Sequence, residues 1–163
     1  MGQVKDRFNQ TGVPVRIQDI LDQVGREVLR IDSGLSVEEA VNVMIDKDSS
    51  ALIVTEDERP VGIFTERDVL CSYAKFEPKA FSEIGLKNAM TNKLIVARPE
   101  DEIDATISLM IQTSIRHLPV VEDGEIISVL NMCDLVHFQV GNLSTELHYL
   151  EEYLNDLHDA GRD

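Results

Sequence analysis

Apolar residues along this chain follow two alternating rhythms. Val37, Ala40, Val41 and Met44 stand at i, i+3, i+4 and i+7, the spacing of one helical face, and Ile103, Thr106, Ile107 and Met110 repeat it. A short apolar run precedes each helix, about Val28 to Ile31 and about Leu94 to Ala97. Two more follow each: Ala51 to Thr55 with Val61 to Phe64, and Leu118 to Val121 with Ile126 to Leu130. Runs this short, bounded by turn residues, predict strands. A second helix is expected from about Thr65 and again from about Asn131. The predicted order is therefore β-α-β-β-α, twice.

The two halves superimpose without a gap when the chain is offset by 66 residues. Met44 then meets Met110, Leu52 meets Leu118, Val54 meets Val120, Glu56-Asp57 meets Glu122-Asp123, and Asp68 meets Asp134. Ser36 with Glu39 three residues on forms a capping box for the first helix. Asp123-Gly124 predicts a tight hairpin, because both central residues of a type I′ turn need positive φ. Pro60 in the matching turn predicts a looser connection. One such unit covers its own sheet poorly. Two copies are expected to pack face to face with pseudo-two-fold symmetry, an α/β (α+β) fold with a long C-terminal helix. The boundaries read as 1–16, an N-terminal segment expected to be mobile; 17–76, the first repeat with a lead-in helix over Ile17 to Val24; 77–140, the linker and second repeat; and 141–163, a helical extension.

That extension has its own pattern. Cys133, Val136, Val140, Leu143, Leu147, Leu150, Leu154 and Leu157 alternate spacings of three and four, an a/d stripe. It either folds back on the core or contacts another subunit, and the unbroken register favours the subunit contact. Gly141 weakens the helix.

Charge narrows the partners. Fifteen Lys and Arg face thirty Asp and Glu, a formal net charge of -15. Such a chain repels a polyanion, so sequence-independent nucleic-acid binding is not expected, although a local pocket can still hold a small phosphate-bearing ligand. Apolar runs fall far short of the ~20 residues of a membrane helix, and no signal-peptide or myristoylation pattern is expected at the N-terminus. Two cysteines without CxxC spacing suit a reducing cytoplasm. The four histidines show no metal-ligand clustering, and no GxSxG, HExxH or P-loop pattern occurs, so no enzyme is expected.

One motif carries binding chemistry. Gly62-Ile63-Phe64-Thr65-Glu66-Arg67-Asp68 lies where a strand hands over to a helix. Thr65 at the N-cap sits beside unsatisfied N–H groups and the positive end of the helix dipole, which suits a phosphate. Asp68, one turn on, can accept two hydrogen bonds from a vicinal diol such as a ribose. Gly62 leaves room for a ligand to approach the strand. The same Thr-x-x-Asp is also a capping box, and the seven residues leave both readings open.

The doubled unit, with GIFTERD in one copy and IRHLPVVEDGEIISVLNMCDLV in the other, resembles the CBS-domain family over about residues 16 to 140. The resemblance implies a compact tandem module that dimerises and binds adenosine-containing ligands in clefts between the repeats. AMP, ADP or ATP are expected as regulatory ligands, with Mg²⁺ as a possible companion and no required cofactor. It implies that Asp68 holds the ribose hydroxyls, Thr65 faces ribose or phosphate, and Ile63 lines the base pocket, with Arg67 inside the motif or pointing to solvent. Lys93, Leu94, Ile115 and Arg116 would form the opposite wall, and Arg116 and His117 would bind phosphate or remain structural. In the second copy Ser128 replaces Gly62 and Asn131 replaces Thr65, while Asp134 is retained. That cleft, walled by Val28, Leu29, Ser49 and Ser50, is expected to be weaker, so one occupied cleft per chain is expected, with two as the alternative. Occupancy would pass to a regulated protein or to the oligomeric state. The alternative is a ligand-independent interaction module acting through the leucine-striped helix.

Overall fold

The computed structural model describes residues 14–24 and 27–160, without the side chains of 142, 145, 146 and 156–160. The expected mobile segment lies, up to residue 13, outside the described residues. The chain divides into two compact units. One holds the described residues up to 24, Ala97–Leu118, and the chain from Leu130; the other holds the chain up to Val96 together with Pro119–Val129.

The second of these contains the first repeat without its lead-in helix. Strand β1 (Arg30–Asp32) pairs parallel with β2 (Ala51–Glu56), and β2 pairs antiparallel with β3 (Arg59–Thr65). Helix α2 (Val37–Asp46) makes the β1-to-β2 crossover. Its start is fixed by the expected capping box: Glu39 N–H donates to Ser36 Oγ at 3.2 Å, and Ser36 N–H donates to the Glu39 carboxylate at 2.8 Å. That backbone bond, and then the Ser36 hydroxyl, hold the Glu39 carboxyl below the usual carboxylate range. Helix α3 (Glu66–Phe76) follows β3 directly. The linker then folds a short helix α4 (Leu86–Ala89) onto α2, with Val37 N–H donating to Ile84 O at 2.9 Å and Leu86 N–H to Leu35 O at 2.8 Å. Ile31, Val37, Ala40, Met44, Leu52, Val54, Phe64, Ile84 and Leu86 form the buried core. The short apolar runs predicted as strands are buried as consecutive residues in β2 and β3, and Leu52, Val54 and Phe64 pack with Val37, Ala40 and Met44 of α2.

In the other unit, α1 (Ile17–Val24), α5 (Ile103–Thr113) and α6 (Met132–Ala160) meet. Ile17 N–H donates to Asp101 O at 2.9 Å and Ile103 N–H to Val15 O at 3.0 Å. Ile17, Ile20, Ile103, Met110 and Leu135 are buried. The remaining strands, β4 (His117–Glu122) and β5 (Glu125–Asn131), form a two-stranded hairpin.

The repeat is reproduced in the backbone. Ser49 N–H donates to Met44 O at 2.9 Å, and its counterpart Ile115 N–H donates to Met110 O at 3.0 Å. Two expectations need correction. The β2–β3 turn is not looser than its counterpart: Asp57 and Glu58 have φ of 49° and 63°, close to the 50° and 82° of Asp123 and Gly124. Pro60 is accommodated just after the turn, on an edge strand at a register shift, where a residue without an N–H is tolerated. The strand expected at Leu94 to Ala97 also does not form, for residues 92–96 join no ladder. Thr91 and Ile63 instead exchange two hydrogen bonds, 2.8 and 2.9 Å, in a single bridge, and Leu94 is held by side-chain packing.

Candidate ligand site at the head of helix α3

Strand β3 delivers Thr65 to the N-cap of α3 in extended conformation, φ -126° and ψ 169°. The first turn of the helix then brings Asp68 back over it. Thr65 N–H and the Thr65 hydroxyl both donate to Asp68 Oδ2, at 2.8 and 3.0 Å. The Thr91 hydroxyl donates to Asp68 Oδ1 at 3.0 Å. Thr65 and Asp68 are half-buried and Thr91 is exposed, so the carboxylate sits at the rim of the surface. An ionised carboxylate offers about four acceptor directions, and these three donors leave one on Oδ1. The capping interaction and the binding group are therefore the same side chain.

Beside this head lies an apolar surface. Buried Ile53, Ile63 and Ile126 carry half-buried Val28, Ala51, Leu94, Val121 and Val129 on them. Val28 and Leu94 are counterparts in the repeat, as are Ile63 and Val129.

Gly62 has a different reason from the one expected. A Cβ there would stand 2.7 Å from Thr91 O and 2.8 Å from Met90 Sδ. The room over β3 is taken by the chain's own backbone, not left for a ligand. Ser50 is half-buried, and its carbonyl accepts the Glu66 N–H at 3.2 Å, so one orphan donor at this helix start is already used. Arg67 and Lys93 are exposed.

The second copy builds a parallel head in the other unit. Asn131 N–H donates to Asp134 Oδ2 at 3.0 Å, and Asp134 N–H donates to Asn131 Oδ1 at 2.8 Å. Asn131 thus spends its amide oxygen on the cap. Met132 N–H donates to Arg116 O at 2.8 Å, matching the Glu66–Ser50 bond. Ile115 and His117 are half-buried and Arg116 is exposed. By unit, Ser50, Ile63, Thr65, Arg67, Asp68, Lys93 and Leu94 belong to one, and Ile115, Arg116, His117, Asn131 and Asp134 belong to the other. Thr91 was not anticipated. Periodicity does not mark it, and its role follows only from the bridge to Ile63. Among the described residues, no group of three or more His, Cys, Asp or Glu could hold a metal ion, and no helix is long and apolar enough to cross a membrane.

A repeated unit, β-α-β-β-α in the first copy and α-β-β-α in the second, with a carboxylate at each closing helix, defines a tandem module. The CBS domain model matches residues 17–75 and 82–141, and the chain belongs to the CBS-domain family. A mitochondrial CBS domain-containing protein of Arabidopsis thaliana is 31% identical over 73% of this chain and 60% of its own length. The first curated relatives are covered over only 44–60% of their lengths. The crystal structure of a CBS-domain containing protein from Agrobacterium tumefaciens aligns with TM-score 0.73 and 27% identity, over 77% of this chain and 99% of that one. A CBS domain pair solved with 5′-methylthioadenosine and S-adenosylmethionine aligns with TM-score 0.68 over 80% of this chain and 99% of that one; at 20% identity it shares the fold.

Proposed function

We propose that the chain is a regulatory module that binds an adenosine-containing nucleotide, with AMP, ADP and ATP as the leading ligands, at the head of α3. The observation that carries this reading is the Asp68 carboxylate, held at the surface by two threonine hydroxyls beside a half-buried apolar patch. The open acceptor direction on Oδ1 suits a ribose hydroxyl, the apolar patch suits a purine, and the dipole of α3 favours phosphate. Mg²⁺ accompanies a triphosphate. Arg116 and His117 serve phosphate, and the Asn131–Asp134 head is the weaker site because its amide oxygen is committed. Binding is regulatory and not followed by chemistry. It acts by favouring one conformation or association state, which requires different affinities for the two. Free, exposed Cys71 and Cys133 suit a reducing cytoplasm.

Calorimetric titration with AMP, ADP, ATP (with and without Mg²⁺), NAD, S-adenosylmethionine and 5′-methylthioadenosine tests it. Asp68→Asn preserves size and removes the charge, so affinity falls on the order of 10- to 100-fold. The reading is lost if no ligand in the series binds, or if Asp68→Asn binds as the parent does. Loss in Asp134→Asn alone would move the site to the second head. The competing reading, an assembly module with no ligand, draws on the exposed apolar stripe of α6.

A further inference from the structure

Helix α6 is 29 residues long, about 43 Å at 1.5 Å per residue. Its first two turns are engaged within their own unit: Leu135 is fully buried, and Gln139 Nε2 donates to Asp104 Oδ1 at 2.9 Å. Beyond them the apolar stripe is bare. Val140, Leu143, Leu147, Leu150 and Leu154 are each 53–63% exposed, against 0% for Leu135 on the same helix. The side chain of Leu157 lies outside the described ones. Written as heptads, Val140, Leu147 and Leu154 occupy a, and Leu143, Leu150 and Leu157 occupy d. Gly141 falls at b, outside the stripe.

We propose that the stripe is covered by a second copy of this chain, paired antiparallel. In this register Val140 faces the partner's Leu157, Leu143 faces the partner's Leu154, and Leu147 faces the partner's Leu150. With their symmetry mates these make six apolar layers, and the pairing begins at Val140, where α6 becomes free of its own unit. The flanking e and g positions decide the direction. A parallel pair sets Glu146 at g against the partner's Glu151 at e, twice by symmetry. In the antiparallel register e meets e and g meets g. Glu146 then stands opposite the partner's Tyr153, Glu151 opposite the partner's Ser144, His137 opposite the partner's His158, and Gln139 opposite the partner's Ala160. No two acids meet. The flanks also argue against a basic partner helix. Of the eight e and g positions from His137 to Ala160, only Glu146 and Glu151 are acidic. Glu152 belongs to the outer face, where His148 Nε2 lies 3.4 Å from its carboxylate. The pairing stands independently of nucleotide binding.

Cysteine cross-linking reads both the contact and its direction, in the full chain carrying Cys71→Ser and Cys133→Ser. Leu143→Cys and Leu154→Cys chains with different tags, co-expressed and then oxidised, are expected to give the mixed disulfide. Leu147→Cys alone is expected not to link to itself. Self-linking of Leu147→Cys would mean a parallel pair and overturn the register. Leu147→Glu with Leu150→Glu is expected to weaken self-association on the order of a hundredfold or more in sedimentation equilibrium, leaving unfolding of the repeats unchanged. Self-association equal to the parent's in that variant, or a monomeric parent chain whose stripe another segment or protein covers, would overturn the proposal.

Discussion

Replacing Gly62 by alanine separates two explanations of one residue. If the glycine clears space for a ligand, the ligand-free protein should tolerate a methyl group and only affinity should fall. The structure argues otherwise. The new Cβ would meet Thr91 O at 2.7 Å, and that oxygen accepts the Ile63 N–H at 2.8 Å. Restoring ordinary contact needs a displacement of about 0.7 Å, enough to lose the hydrogen bond. Overpacking of this kind costs about 1–3 kcal/mol, and the lost bond about 1 kcal/mol more. Alanine is easier to order than glycine in a strand, which offsets at most about 1 kcal/mol. The net expectation is a loss of about 2–3 kcal/mol, or roughly 5–10 °C in Tm for a chain of this size. Thermal and urea unfolding without ligand measure it, and amide hydrogen exchange at Ile63 and Thr91 localises it. A Gly62→Ala protein with the parent's midpoint and unchanged protection at both amides would refute the reasoning. Gly62 would then have to be explained by binding.

Two further substitutions test the local physics. Gly141→Ala should stabilise α6 by about 1 kcal/mol, because nothing lies within 4 Å of the added Cβ and the residue sits mid-helix; helical circular dichroism and Tm should both rise. Ser36→Ala should cost about 1 kcal/mol by removing the N-cap of α2, read as a lower urea midpoint. The capping box also has a pH signature. The Glu39 carboxyl titrates below its ordinary value in the folded chain, so its contribution is present above the unfolded-state value and is lost as pH falls through the folded one. Parent and Glu39→Gln should differ in stability near neutrality and converge in acid; a gap that persists below that window would refute the cap as its source.

Stability and binding share a side chain at the proposed site, so each must be measured with the other. Asp68 accepts both donors of Thr65 and the hydroxyl of Thr91, which makes it the cap of α3 as well as the candidate ribose partner. A carboxylate already ordered by its cap loses little further freedom when a ligand arrives, which favours affinity. An asparagine retains the shape and part of the cap. An alanine removes both, so only the asparagine variant isolates the charge.

Local chemistry alone determined much of this protein. The 66-residue repeat, the capping box at Ser36, the Asp123-Gly124 hairpin, the helix start at Thr65 and the stripe of α6 are all written in neighbouring residues. Spacings of two, three and four residues reflect strand and helix geometry directly, so they survive without knowledge of the rest of the chain. The misjudged turn at Asp57-Glu58 shows the limit of that reading. Two non-glycine residues hold positive φ there because the paired strands on either side require the tight connection.

Tertiary structure decided the rest. It placed the Thr91 hydroxyl on Asp68, put the Thr91 carbonyl where a Gly62 side chain would go, and joined residues 91 and 63 by one bridge in place of a strand. It also chose companions for the short lead-in helices: α4 packs with α2 and α3 of the first repeat, and α1 with α6 beside α5. These pairings join segments far apart in the chain. They depend on which apolar faces are left uncovered once each repeat has folded, and no local spacing of residues encodes that choice.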